Sequence, residues 1–366
     1  MAFPLYSGVD LPQNLSQANR ALLFDKFYFW DRLGGLLRDQ NKEDNLQRLK
    51  GSCGDRRQIE ANMLRHCELV EALGGRYKVF RNTWHVAIGM GIDHPLENGM
   101  VWHPTLGTPY IPGSSVKGMV RAWCEEWEGW EKEKIEKIFG SASEKDQEAN
   151  AGEYIFFDAL PVSTVHLTSD VMTPHMGKWY EKGGEGRHNY ENTPGDWHTP
   201  VPVTFLTVRE IKPFFAVAMR PGTSGEYLDE LMQSLEKALQ WIGIGAKTAA
   251  GYGRFSIDEN STSNLKERIE EFQKEREEAK AILELSPFEM KMFELKKECG
   301  NDPFETALLK AIESGYFDEE RCEALKYLKN YMIEQKVWVE VSKAKRPERD
   351  KKYNRTRKVM ELLKEC

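Results

Sequence analysis

Ile242-Gly-Ile-Gly-Ala-Lys-Thr-Ala-Ala-Gly-Tyr-Gly253 sets Gly243, Gly245, Gly251 and Gly253 around a single Lys247-Thr248 pair. Glycine lets a backbone take positive φ and approach a partner with no Cβ in between. One cation and one hydroxyl amid small residues suit a phosphate. The stretch therefore reads as a loop laid against an anionic polymer or a nucleotide, or more plainly as a loop that turns sharply. It is not a nucleoside-triphosphate loop, which places Gly directly before Lys-Thr, follows a strand and opens a helix. Here Ala246 precedes the lysine, and Leu228, Leu231, Met232, Leu235, Leu239 and Ile242 recur at three- and four-residue steps, which predicts a helix before the loop. Gly251-Tyr-Gly-Arg-Phe-Ser-Ile257 predicts a strand after it. Helix, loop, strand is the reverse of the order that a dinucleotide fingerprint needs as well.

A second stretch, Pro109-Tyr-Ile-Pro-Gly-Ser-Ser-Val-Lys-Gly-Met-Val-Arg121, runs from a turn into a predicted helix. Ser114 or Ser115 is the expected N-cap. Val116, Met119, Val120, Trp123 and Trp127 form the apolar stripe. Lys117 and Arg121 share one face. Free amides at a helix start attract anions, whereas positive side chains there are disfavoured. That conflict points to an anionic partner, against the plainer reading of a capped helix with solvated charges.

Tyr110-Ile-Pro-Gly-Ser-Ser-Val-Lys-Gly118 and the glycine-rich stretch resemble the two signatures of the CRISPR RAMP superfamily, over roughly residues 78–257. Asp170-Val-Met-Thr-Pro-His175 and Pro200-Val-Pro-Val-Thr-Phe-Leu-Thr-Val208 narrow the likeness to the family of sixth subunits of type III-B Cmr effector complexes. The resemblance implies an α+β, ferredoxin-like (RRM-like) fold, with the glycine-rich loop between its last helix and last strand and with a thumb insertion. It implies a non-catalytic structural subunit that binds guide RNA near its 3′ end, the thumb distorting the guide–target duplex. Implied partners are CRISPR guide RNA, complementary target RNA, RAMP backbone subunits and small helical subunits of the complex; no cofactor or metal is implied. Phosphates would be met by Ser114, Ser115, Lys117 and Arg121, and by Gly243, Gly245, Lys247, Thr248, Gly251, Tyr252 and Gly253. His175, with Lys178 close by, would wedge a base pair.

The alternative is a metal-independent ribonuclease that processes precursor CRISPR RNA, with His175 or His94 as the acid–base residue. A nucleotide-binding protein is a third reading. Asp93, His103, Asp158, Asp170 and His198 are further candidates for catalysis, but a general base must lie within hydrogen-bond reach of its proton, which spacing does not show. Asp158 and Asp170 end apolar runs, where turn and cap roles are commoner.

The remaining organisation follows from pattern. The 366 residues suit one large domain with additions, or two domains. Residues 1–75 are expected to be a helical segment, with Leu22, Leu23, Phe27, Trp30, Leu33 and Leu37 leading a stripe. Residues 76–257 mix helices with strands predicted at 83–90, 153–158, 201–208 and 214–219, which gives the order β-α-β-β-α-β. Residues 125–152 continue the first helix through Trp127, Trp130, Ile135 and Ile138 before turning polar. The insertion at about 168–200 carries Met172, His175, Trp179, Tyr180, His188, Tyr190 and Trp197 beside Lys178, Lys182 and Arg187. Such aromatics suit stacking on unpaired bases, or packing of the insertion's own small core. Residues 258–366 read as a charged helical module of unassigned role, with an apolar set from Phe288 to Trp338.

A mean hydropathy of −0.60 leaves no run apolar enough to span a bilayer. No signal peptide is evident, so a cytoplasmic protein is expected. The net charge of −7 argues against a non-specific nucleic-acid coat but not against a local groove. Residues 343–358 form a basic run that suits nucleic acid, a protein partner or plain solvation. Six scattered cysteines without a CxxC pair are expected to be reduced thiols.

Overall fold

Pro213-Phe-Phe-Ala-Val-Ala-Met219 is apolar without interruption and becomes the strand that is buried on both faces at the centre of the main sheet. The structure is a computed structural model, and it describes residues 18–27, 39–141, 149–183, 193–300, 302–342 and 346–366. They fall into two compact units, 1–270 and 271–366.

The first unit runs α1 (Arg20–Asp25), α2 (Asp39–Leu49), β1 (Gly51–Cys53), α3 (Arg56–Ala72), β2 (Arg76–Asn82), β3 (Trp102–His103), β4 (Thr108–Pro109), α4 (Gly113–Glu126), α5 (Lys132–Phe139), β5 (Tyr154–Phe156), β6 (Leu160–Pro161), β7 (Val165–Met172), α6 (Gly177–Lys182), β8 (Val203–Glu210), β9 (Pro213–Met219), α7 (Leu228–Trp241) and β10 (Phe255–Ile257). α8 (Glu259–Leu283) follows and buries Thr262, Leu265 and Ile269.

The main sheet has the order β10-β2-β9-β5, with β6 also on β9, and every pairing in it is antiparallel. Side chains alternate across a strand. Phe215 and Val217 of β9 therefore join one core cluster with Val116, Val120, Leu231, Leu235 and Leu239 of α4 and α7. Phe214, on the other face, meets His66 of α3. In chain order, β2, α4, β5, β9, α7 and β10 give strand, helix, strand, strand, helix, strand. α1 and α2 share that core through Leu23, Phe24, Leu46 and Leu49. Leu22 is about half exposed, and Trp30, Leu33 and Leu37 lie outside the described residues.

Three expectations about elements are corrected. The first strand is β2, not residues 83–90. The Asn82 side chain donates to the Trp84 and Arg209 carbonyls at 2.6 and 2.8 Å and accepts from the Ile211 amide at 2.8 Å, which turns the chain out of the sheet. Residues 83–90 then run as a strap, with isolated bridges from Val86 to Val208 of β8 and from Ala87 to Ala246 of the glycine-rich loop. The expected strand at 201–208 is β8, shifted to Val203–Glu210, and it joins a separate sheet of order β1-β7-β8. β7 and β8 form a long antiparallel hairpin, from Leu167 opposite Val208 to Met172 opposite Val203, with α6 beyond its tip. The first long helix does not continue through Trp130: α4 ends at Glu126, Gly129 takes φ 63°, and α5 starts at Lys132.

The second unit contains α9 (Pro287–Glu298), α10 (Phe304–Glu313), α11 (Arg321–Glu334) and α12 (Lys351–Leu363). Ser286 and Glu289 form a capping box at the start of α9. Met292, Phe304, Leu308, Ile312, Leu325, Leu328 and Met332 fill the core, while Phe293, which falls within the apolar set from Phe288 to Trp338, is exposed. Three cations of the basic run are paired within this unit: Arg355 with Glu305 at 2.6 Å, Arg357 with Glu361 at 3.2 Å, and Lys358 with Glu313. Lys343 and Lys345 lie outside the described residues. The expectation of six reduced thiols is corrected. α11 packs on α12, which brings Cys322 and Cys366 to a Cα separation of 5.5 Å in a disulfide, across 44 residues of sequence. Cys53, Cys67, Cys124 and Cys299 are free. Among the described residues no helix is long and apolar enough to cross a membrane.

Candidate nucleic-acid interface

The glycine-rich loop leaves α7 and folds back along the strap. Gly243 N donates to Ala238 O, Ile244 N to Gly253 O, Ala246 N to Ala87 O and Gly253 N to His85 O, at 2.7–2.9 Å. The amides of Ala250, Gly251 and Tyr252 close on Lys247 and Thr248. The expectation that main-chain nitrogens throughout 243–253 face a ligand is thereby corrected. Only those of Gly245, Lys247, Thr248 and Ala249 have no backbone acceptor among the described residues. Two of the glycines serve the chain itself. A Cβ on Gly253 would lie 1.9 Å from the Ile244 oxygen, and one on Gly245 would lie 2.4 Å from the Ala87 oxygen. The loop still reaches solvent: Gly245, Ala249 and Ala250 are exposed, and Lys247 and Thr248 are half-buried. Lys247 holds a left-handed conformation at φ 59°, a strain of about 1–3 kcal/mol that tends to collect at functional sites.

The fold brings the two sequence motifs together. Gly89 of the strap with Gly91 just beyond it, Ser115 of α4, and Gly243, Gly245 and Thr248 of the loop line one open cleft of about 480 Å³. Neither serine is the N-cap. α4 starts at Gly113 after Pro112, so Ser114 and Ser115 occupy its exposed first turn. The carboxylate of Asp158 accepts from Gly113 N at 2.7 Å instead, which puts an internal anion on the helix start. Gly113 is required there because a Cβ would meet the Phe156 oxygen at 2.3 Å. One turn on, Lys117 is half-buried; burial first, then Arg220 and Arg121, hold its ammonium below the usual lysine value. Arg121 also pairs with Glu125 at 2.8 Å. Arg220, exposed just past β9, is thus a third cation that the sequence reading missed. Its only signal was its place at the end of an apolar run.

Lys247 and Tyr252 turn to the hairpin rather than to the cleft. The Lys247 ammonium lies 5.4 Å from the centre of the Phe205 ring, a cation–π contact with β8. Tyr252 O–H donates to Asp170 Oδ2 at 2.5 Å, and His85 Nδ1 lies 3.2 Å from the same oxygen. Partial burial pulls the Asp170 pKa up, but hydrogen bonds from Tyr252, the Val171 amide and His85 outweigh it and hold the group below the usual carboxylate value. Burial, then the bond to Asp170, push the Tyr252 phenol up to about 12. Asp170 thus ties the hairpin to the loop. His175, in the turn after β7, and Lys178, in α6, are exposed, and neither lines the cleft. Arg187, His188 and Tyr190 lie outside the described residues.

Other candidates for catalysis hold structural posts. His94 Nε2 lies 3.1 Å from Phe24 O, its Nδ1 accepts from the Leu96 amide, and its ring stacks on Phe24. His103 Nδ1 accepts from Leu106 N, and His198 Nε2 lies 2.9 Å from Thr193 O. Among the described residues no group of three or more His, Cys, Asp or Glu is arranged to hold a metal.

A model of the RAMP superfamily matches residues 83–256. The chain is 26% identical over 229 residues to the CRISPR system Cmr subunit Cmr6 of Pyrococcus furiosus, a match covering 48% of this chain and 66% of that protein. It is 28% identical over 165 residues to the Cmr6 of Saccharolobus solfataricus, covering 44% of this chain and 49% of that one. The match therefore spans less than two thirds of either relative. A chain in the cryo-EM structure of the type III-B Cmr-beta bound to cognate target RNA superposes with a TM-score of 0.44 at 22% identity, covering 61% of this chain and 77% of that one. That overlap is too loose to transfer individual residues. The RAMP likeness read from the two motifs is borne out by the superfamily match.

Proposed function

We propose that this chain, with its RAMP-superfamily segment at 83–256, is a guide-RNA-binding structural subunit of a type III-B Cmr effector complex, with no catalytic step of its own. The observation that carries the reading is the cleft: Ser115 from one signature meets Gly243, Gly245 and Thr248 from the other. Lys117 in the second turn of α4 lies within electrostatic reach of Arg220, just past β9, and of Arg121 on its own helix. Such a site holds a sugar–phosphate backbone through hydroxyls, a few amides and cations, and fixes register without reading bases. The strand and helix order of residues 76–257 supports a ferredoxin-like RNA-binding domain. The β7–β8 hairpin is the thumb of this reading, with His175 and Lys178 near its tip, set to distort a guide–target duplex. The subunit would act in the cytoplasm near the 3′ end of the guide, beside RAMP backbone and small helical subunits. The role of residues 258–366 in this scheme is protein contact.

The test is a salt titration of RNA binding by the full chain and by the double variant Lys117→Ala, Arg220→Ala. The variant should bind every RNA sequence more weakly, with a salt slope shallower by about one to two phosphates' worth. An unchanged slope would refute the groove.

A further inference from the structure

Trp84 is 55% exposed, yet it is held more firmly than a surface indole needs to be. Its ring lies parallel to that of His85, with centroids 4.7 Å apart and planes 11° off. His85 is fixed by Asp170 at 3.2 Å, and Asp170 by the Tyr252 hydroxyl of the glycine-rich loop at 2.5 Å. The backbone beneath is clamped as well. The Trp84 carbonyl accepts from the Asn82 amide group, and Thr83 N donates to Arg254 O at 2.9 Å. One face of the indole is thus packed on a hydrogen-bonded relay, and the exposure belongs to the rest of the ring.

The place matters as much as the plane. His85 O accepts from Gly253 N, and Ala87 pairs with Ala246, so the strap carries Trp84 along the same loop that lines the cleft with Gly89 and Gly91. The backbone carbonyls of Arg209 and Arg254 accept from the Asn82 side chain and the Thr83 amide, so the chain on either side of the indole is pinned to β8 and to the end of the loop. An oriented aromatic face on the strap that also lines a backbone-holding cleft has the chemistry of a nucleobase platform, because every base has a π-face that stacks on an aromatic ring.

We propose that Trp84 is a stacking platform for one unpaired base of the bound RNA, with His85, Asp170 and Tyr252 as positioning residues that set its plane. The inference rests on the RNA-binding reading above and adds a site to it.

The experiment compares the full-length protein with Trp84→Ala and Trp84→Phe. Two probes are used, a uridine homopolymer and a ribose-phosphate strand of equal length without bases. Trp84→Ala should bind the uridine strand about ten-fold more weakly, bind the abasic strand as the wild type does, and keep its melting temperature. Trp84→Phe should retain most of the affinity. Asp170→Asn should weaken uridine binding in the same base-dependent way, by less than Trp84→Ala. Equal uridine affinity of Trp84→Ala and wild type would overturn the platform and leave the groove standing. An equal loss on both strands would also overturn it, since stacking needs a base. Failure of the wild type to bind either strand would overturn the RNA-binding reading and the platform with it.

Discussion

Gly253 and Gly251 belong to one loop, but a side chain would harm them for different reasons. At Gly253 a Cβ would collide with the Ile244 oxygen in a backbone that already has φ 68°. At Gly251, φ is 91° with nothing within 4 Å of the added atom. Gly251→Ala should therefore cost about 1 kcal/mol of conformational strain. Gly253→Ala should cost more, roughly 2–4 kcal/mol, because the Ile244–Gly253 backbone contact must open. Urea midpoints of the two variants check the ranking; equal midpoints would refute it. Tyr252 offers a separate test through pH. Its phenol is raised to about 12 in the fold, so the folded state holds that proton more tightly than the unfolded chain, whose phenol titrates near 10. The stability it contributes is fully present below about pH 10 and is lost as the pH rises toward 12. Asp170 is shifted the other way. Its contribution is present above the ordinary carboxylate value and is lost as the pH falls through its folded value. Tyr252→Phe should flatten the stability profile at both ends relative to wild type, as read by thermal melts across pH.

At the scale of elements, α4 shows both what the sequence carries and what it hides. The apolar stripe of Val116, Met119, Val120 and Trp123 specified the helix and its buried face, and all four are buried. Its cap was not legible, because Asp158 arrives from the far side of β5. A polar residue already inside the first turn, such as Ser114 or Ser115, looks like a cap in one dimension. The same limit hid His85, Asp170 and Tyr252 as a group, since they come from a strap, a hairpin and a loop. The strap itself was misread as a strand because Val86 and Ile88 alternate like one. The true strand, Arg76-Tyr-Lys-Val-Phe-Arg-Asn82, was passed over because its cations outnumber its aliphatic residues. The Asp158 cap makes a prediction at this scale. Asp158→Ala should destabilise the unit by about 1 kcal/mol through loss of the cap. It should also tighten RNA binding by about two- to five-fold, since it removes an anion from the helix start beside Lys117. Denaturant titration and RNA affinity together check it; weaker RNA binding at unchanged stability would contradict this account.

Over the whole molecule, the glycine-rich stretch and its preceding helix were legible because periodicity and turn chemistry are local. The division into units was less so, because it depends on which apolar residues meet. Phe24 and Leu46, far along the chain from the sheet, join its core, and the first unit extends to residue 270, past the boundary at 257 that composition pointed to, taking in the buried Thr262, Leu265 and Ile269 of α8. The cysteines show the same dependence on three dimensions, since Cys322 and Cys366 are 44 residues apart and pair only through the packing of α11 on α12. The two units have separate apolar cores, which predicts two unfolding transitions in calorimetry. Closing a loop of that length constrains the unfolded chain, an effect worth roughly 2–4 kcal/mol. Reductant, or Cys322→Ser, should therefore lower the transition of the helical unit and leave that of the cleft-bearing unit in place, because Cys53, Cys67 and Cys124 there are buried free thiols. RNA affinity should not change, since the cleft residues belong to the first unit and the disulfide to the second. A single transition that shifts as a whole on reduction would show that the two cores unfold as one and would refute the division.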